Sequence, residues 1–210
     1  GDTTVVQRGK GDGVYITTTG VGVVAEGEDY AGDRARPGDR IIVSGSIGEH
    51  GMAIMAQRES IGFAAPIVSD TAALHGLIAV MRASGAAIRA LRDPTRGGVA
   101  TTLNEIARQS GVGMMLQESA LPVQAEVAAA CEFLGLDPLY VANEGKLLAI
   151  VAPEDAASLL QAMHAHPLGR RAALIGTVHR DAQHFVQMTT AFGGRRIVDW
   201  LTGEQLPRIC

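Results

Sequence analysis

The sequence predicts an α/β (α+β) protein built on a mixed β-sheet covered by helices. Four windows carry apolar residues at or near i, i+3, i+4 and i+7, the spacing that gives a helix one buried stripe. Short β-branched and apolar runs of strand length lie between them. The two kinds interleave without the regular βαβ period of a parallel, doubly wound sheet, so a mixed sheet is expected. Glycine, at 26 of 210 residues, falls at segment ends and in no low-complexity run or repeat, as punctuation between short elements.

In chain order, "GVYITTTGVGVVAE" (13–26) is β-branched and Gly-interrupted. "ARPGDR" carries the turn residues Pro37 and Gly38, and the apolar "IIVSG" after it reads as a buried strand. Leu74, Leu77, Ile78 and Met81 mark the first helix. Val99, Leu103, Ile106 and Ala107 mark the second, and Val123, Val127, Ala130, Cys131 and Leu134 the third, with Cys131 on its core-facing stripe. Ala156, Leu159, Leu160 and Met163 mark the fourth. Strands are expected at "GMMLQ", "KLLAIVAP", "AALIGTV" and "HFVQMTT". The closing "GEQLPRIC" lacks periodicity and contains Pro207, so it reads as a mobile tail. A domain boundary is expected around Arg36 to Asp39, dividing the chain into 1–38, 39–200 and a tail of 201–210.

Composition narrows the function classes. With 47% apolar residues, the chain can bury a real core. A net charge of -4, with Lys and Arg scattered, argues against a nucleic-acid partner. No run approaches the roughly 18 apolar residues that span a bilayer, and the first residues lack the build of a signal peptide. Two distant cysteines make no disulfide framework, so a cytoplasmic protein without membrane contact is expected. The chain begins without Met and reads as a fragment or a processed chain.

Several stretches can carry chemistry. In "RDPTRGGVATTLNEIA", Asp93 and Thr95 offer helix-capping oxygens, Arg96 offers a guanidinium, and Gly97 and Gly98 let backbone N–H groups approach an anion where a helix begins. The stretch equally reads as an ordinary Gly-rich turn before a capped helix. In "ANEGKLLAIV", Asn143, Glu144 and Lys146 stand just before an apolar strand, where Glu144 can act as a base or can simply be a solvated loop carboxylate. Asp2 in "GDTT" suits Mg²⁺ on a nucleotide, a cation that takes few carboxylates along with phosphate oxygens; the position also suits a plain chain end. His164 and His166 are two apart and share no helical face, which argues against a metal site there. Cys210 ends the chain, where a thiol has little packing to do and is free to travel. As a nucleophile it needs a base, since an unperturbed thiol of pKa about 8.5 is only slightly ionised at neutral pH.

Taken together, "GDTTVVQRGKGDGVYITTTG", "DPTRGGVATTLNEIA", "ANEGKL" and the closing "PRIC" resemble the HypE family of hydrogenase expression/formation proteins, in the aminoimidazole ribonucleotide synthetase (PurM-like) superfamily. The resemblance runs the whole length of the chain. It implies a PurM-like C-terminal domain at 39–200, preceded by the last part of an N-terminal ATP-binding domain and linker at 1–38. It implies an enzyme of [NiFe] hydrogenase maturation that uses ATP to dehydrate a carbamoyl group on Cys210 to a thiocyanate. HypF would supply the carbamoyl group, and a HypC–HypD complex would accept the cyanide as an iron ligand.

Residue by residue, the resemblance makes Cys210 the acceptor, Glu144 the group that removes protons, and Asp2 the nucleotide-side and Mg²⁺ ligand. Asp93, Thr95 and Arg96 would line the cleft. Where the family shows Gly-Asp-Thr-Lys this chain has Thr4, and Lys10 is the available substitute. Family members begin well upstream, with most of the ATP-binding domain and the strands of a homodimer interface. The complete protein is therefore expected to dimerise, and the chain by itself to bind ATP poorly and dimerise weakly. Two rivals make different predictions. Another PurM-like kinase would work without Cys210, and a non-catalytic docking module would bind its partner almost normally with Cys210→Ser.

Overall fold

A computed structural model describes residues 19–58 and 66–201. Among these, seven strands form one sheet: β1 (Arg40–Val43), β2 (Ile88–Arg92), β3 (Gly113–Gln117), β4 (Leu148–Val151), β5 (Ala173–His179), β6 (Val186–Thr189) and β7 (Arg195–Ile197). They lie in the order β2-β4-β1-β5-β3-β6-β7. Every neighbouring pair is antiparallel except β3 and β6, which run parallel, so the sheet is mixed as expected.

The described helices are α1 (Glu49–Arg58), α2 (His75–Ala83), α3 (Gly98–Ser110), α4 (Ala125–Leu134) and α5 (Ala156–His164). Side chains alternate across a strand, so β1 sends Ile41 and Val43 to one face and Ile42 to the other. On the first face α3 buries Val99, Leu103 and Ile106 against Met114, Leu116, Leu148 and Ile150. On the second, Leu77 and Met81 of α2 and Leu159 and Met163 of α5 close over Ile42, Ala149 and Val151. β4 is buried along its whole length because both layers press on it. A third cluster joins Met52 of α1 to Val127, Ala130 and Cys131 of α4. None of the described helices is long and apolar enough to cross a membrane.

The four helices expected from periodicity are α2 to α5, and the five apolar runs from "IIVSG" onward contain β1, β3, β4, β5 and β6. Residues 19–25 take no regular structure, and Val21 and Val23 are 99% exposed. β-branched residues form a strand only where a neighbour and a buried face are available, and these have neither among the described residues. Residues 13–18 lie outside the description, as do Asp2, Thr4, Lys10 and the expected tail from Thr202 to Cys210.

Periodicity also misses α1, β2 and β7. Gly51 interrupts the apolar stripe of α1, and a Cβ there would overlap the Val141 side chain. Close packing against 141–142 therefore holds this helix in place of a continuous apolar face. β2 sends only Ile88 and Ala90 into the core, and β7 is a short, largely exposed edge strand beside β6.

Candidate functional site

Strand register gathers the site. Val43 and Arg92 both lie opposite Leu148, so β1 and β2 leave the sheet, and β4 enters it, at the same end. The segments 44–50, 93–97 and 141–147 are thereby brought side by side. Ser44 joins two of them, its N–H donating to the Leu147 carbonyl at 3.0 Å and its Oγ accepting from Leu147 N–H at 3.0 Å.

Asn143, only 1% exposed, ties all three together. Its Nδ2 donates to the Pro94 and Val141 carbonyls at 3.0 and 3.1 Å, and its Oδ1 accepts from Gly48 N–H at 2.8 Å. Its own N–H donates to Pro94 at 3.2 Å, and Gly51 N–H donates to the Ala142 carbonyl at 3.1 Å. A buried amide with this many partners is a positional lock, because each partner left unpaired would cost a desolvated polar group.

Glu144 follows directly. Its N–H donates to Asp70 Oδ1 at 3.1 Å, and the other oxygen of Asp70 accepts from Lys146 Nζ at 2.8 Å. The segment around Asp70 presses so closely on Gly145 that a Cβ there would overlap the Asp70 carbonyl oxygen. Oε1 of Glu144 is buried and has no hydrogen-bond partner among the described residues. The backbone of Glu144 is thus fixed while one carboxylate oxygen is left as an unused acceptor.

The 93–97 loop lies against Asn143 through Pro94. Asp93 is exposed, with Oδ1 3.9 Å from Arg92 Nε; Thr95 is partly buried and Arg96 exposed. The capping role expected of Asp93 and Thr95 is corrected, since the N-cap of α3 is Gly97 and no side chain caps it. Gly97 and Gly98 have φ of 70° and 59°, in the left-handed region open to glycine. The turn is this tight because Gly98 packs on backbone: a Cβ there would lie 2.6 Å from the Val141 carbonyl oxygen and 2.9 Å from the Tyr140 carbonyl carbon. An uncapped helix N-terminus beside an exposed guanidinium suits an anion such as a phosphate.

Sequence reasoning passed over six polar residues of this wall. Glu49, 5% exposed, accepts at Oε1 from Gln124 Nε2 at 2.6 Å and from the Ser46 hydroxyl, and its Oε2 is buried without a partner. His50, 8% exposed, meets Ser69 Oγ at 2.8 Å through Nδ1, and its Nε2 is buried without a partner. Asp70 completes the set. The available signal was "IGEHG", two titratable residues between glycines at an apolar strand's end, a poor place for them unless the site uses them.

Among the described residues no group of three His, Cys, Asp or Glu side chains stands ready to hold a metal ion. The expected Mg²⁺ ligand, Asp2, and the expected acceptor, Cys210, lie outside the described residues. The other cysteine, Cys131, is buried, and burial pushes its thiol up to about 11, with Asp137 adding to the effect. At neutral pH it is a neutral packing group.

Residues 36–189 match the family described as AIR synthase related protein, C-terminal domain. Along all 210 residues the chain is 68% identical to a carbamoyl dehydratase HypE of Azotobacter vinelandii, of which it covers 62%. It superposes on the crystal structure of a hydrogenase maturation protein HypE in complex with ATP with a TM-score of 0.81 and 47% identity, covering 86% of this chain and 55% of that one. Against a chain of a HypE–HypF complex the TM-score is 0.80 at 46% identity, covering 83% of this chain and 57% of that one. The chain thus spans about three fifths of the length of such relatives.

Proposed function

We propose, for a chain that belongs to the family of AIR synthase related proteins through their C-terminal domain, that the whole protein is an ATP-dependent carbamoyl dehydratase of [NiFe] hydrogenase maturation. The observation that carries this reading is 68% identity along all 210 residues to a carbamoyl dehydratase HypE. The geometry that supports it is Glu144, held by its backbone with one buried carboxylate oxygen unused.

The chemistry assigns the parts. Cys210 carries the carbamoyl group as a thiocarboxamide, R–S–C(=O)–NH₂. Its amide oxygen is a poor leaving group, so it takes the terminal phosphoryl group of ATP and leaves as phosphate. Two N–H bonds break as the C≡N bond forms. Glu144 Oε1 is the acceptor for a departing proton, and a positioned base of this kind contributes about 10²- to 10⁴-fold. The N-terminus of α3 with Arg96, Asp93 and Thr95 lines the phosphate side, and Asp2 meets the Mg²⁺ that accompanies the nucleotide.

In this reading residues 1–38 belong to the end of an ATP-binding domain with its linker, 39–200 form the C-terminal domain, and 201–210 form the tail that moves Cys210 between sites. HypF is the carbamoyl donor, a HypC–HypD complex accepts the cyanide, the full-length protein is a homodimer, and the reaction takes place in the cytoplasm.

The test is mass spectrometry of the terminal tryptic peptide of the full-length protein, after incubation with HypF, carbamoyl phosphate and ATP. A carbamoyl increment on Cys210 that then loses one water, and is absent from Cys210→Ala, is the expected result. ATP consumption with Cys210 unmodified would overturn the reading in favour of a kinase.

A further inference from the structure

We propose that His50, Ser69 and Thr71 form a proton relay from the interior beside Glu144 to the surface; this rests on the dehydratase reading above. The three side chains are joined by two contacts of 2.8 Å, His50 Nδ1 to Ser69 Oγ and Ser69 Oγ to Thr71 Oγ1. The inner end is buried, since His50 is 8% exposed, and its Nε2 has no partner among the described residues. The outer end, Thr71, is exposed.

The chain takes its outward direction in the His50 tautomer that carries its proton on Nδ1. Ser69 Oγ also accepts from Thr71 N–H at 3.3 Å. With His50 Nδ1–H donating to the same oxygen, both acceptor positions of the hydroxyl are used and its own O–H is left to donate to Thr71. His50 is then the tautomer whose Nε2 carries a lone pair inside the protein. A proton arriving at Nε2 displaces the one on Nδ1 to Ser69, the Ser69 proton to Thr71, and the Thr71 proton to water. Rotation of the two hydroxyls, and a flip of the His50 ring that carries the proton now on Nε2 round to the Ser69 side, reset the chain between turnovers.

The inner end belongs to the site by its connections. Gly48 and Gly51, on either side of His50, donate to Asn143 Oδ1 and to the Ala142 carbonyl. Asp70, between the two relay hydroxyls, accepts from Glu144 N–H. The reaction needs an outlet of this kind. For each thiocarboxamide converted to a thiocyanate, ATP⁴⁻ becomes ADP³⁻ and HPO₄²⁻, and of the two N–H protons one stays with phosphate and one is released to solvent. A buried carboxylate that accepts a proton must pass it on before the next turnover.

The experiment follows single-turnover loss of water from carbamoylated full-length protein, by peptide mass, in wild type, His50→Ala, Ser69→Ala, Thr71→Val and Thr71→Ser. Dehydration is expected to slow about tenfold or more in His50→Ala and Ser69→Ala. Thr71→Val, a surface change of equal shape, slows it less, and Thr71→Ser retains the rate. Free imidazole restores His50→Ala, which a merely structural role for His50 would not allow. Wild-type rates in Ser69→Ala and Thr71→Val, or a folded His50→Ala that imidazole leaves slow, would remove the relay and leave the dehydratase standing. A wild-type protein that carries the carbamoyl group and never loses water would remove both.

Discussion

Lys146 places Nζ 2.8 Å from Asp70 Oδ2 with both side chains almost out of water, 11% and 4% exposed. A pair this buried is weak evidence for net stability, but removing one member leaves an uncompensated charge inside the protein. Asp70→Ala is expected to cost about 3–5 kcal/mol in urea unfolding, since Glu144 N–H loses its acceptor at the same time. Asp70→Asn, which keeps an acceptor oxygen, costs less. Equal midpoints for Asp70→Ala and wild type would show that the pair does not hold this wall.

The two glycines before α3 differ in what their missing side chains would meet. At Gly98 a Cβ runs into backbone atoms of 139–141, including the Tyr140 carbonyl carbon at 2.9 Å, and backbone cannot step aside. At Gly97 it meets the Thr101 side chain, whose Oγ1 can rotate away but whose Cβ, 2.7 Å off, moves only with its backbone. Both have positive φ, so both alanine variants carry about 1 kcal/mol or more of conformational cost. Overpacking adds about 1–3 kcal/mol, toward the upper end at Gly98, where three backbone atoms are met, and toward the lower end at Gly97, where part of the contact can turn away. Thermal melts should rank Gly98→Ala clearly below Gly97→Ala, and the reverse order would contradict this packing.

The same stretch shows how far the sequence could be read. Leu103 and Ile106 announce α3 by their spacing, because a helix with one buried face must repeat its apolar residues. Its start was misread because capping was assigned to the oxygens of Asp93 and Thr95, while the deciding interaction is a contact between Gly98 and backbone some forty residues away. Likewise Glu144 stands out as a carboxylate before an apolar strand, but Asp70, which fixes its backbone, lies in a segment with no periodicity at all. Spacing reports local burial; partners across the sheet's end come from register, which a single sequence leaves open.

Cys131 is expected to be silent to thiol reagents in the folded protein near neutral pH and to react once the chain unfolds. Burial pushes the folded thiol up to about 11, against about 9.0 for the thiol of the unfolded chain. Its folded value is raised, so the stability it contributes is fully present below pH 9 and falls as pH rises from about 9 to about 11. Thiol titration with and without denaturant, with tryptic mapping to separate Cys131 from Cys210, checks the first statement. Urea midpoints across that range, compared with Cys131→Ala, check the second. Prompt labelling of Cys131 in the native protein would place it outside the α1–α4 core.

Glu144→Gln isolates the carboxylate, because the change keeps size, shape and the backbone N–H that Asp70 holds. In the dehydratase reading, carbamoylation of Cys210 is the partner's chemistry and needs no base at Glu144, so the carbamoyl adduct should form at its normal extent. The following loss of water should fall by about 10²- to 10⁴-fold, and the adduct should accumulate in the presence of ATP. Glu144→Asp keeps the acid but draws it back by one methylene, so it should recover part of the rate and no more. Reading adduct and thiocyanate on the same terminal peptide separates the two steps in one experiment. If Glu144→Gln dehydrates at the wild-type rate, the unpartnered Oε1 is not the proton acceptor, and another buried oxygen of this wall, Glu49 Oε2, becomes the group to change next.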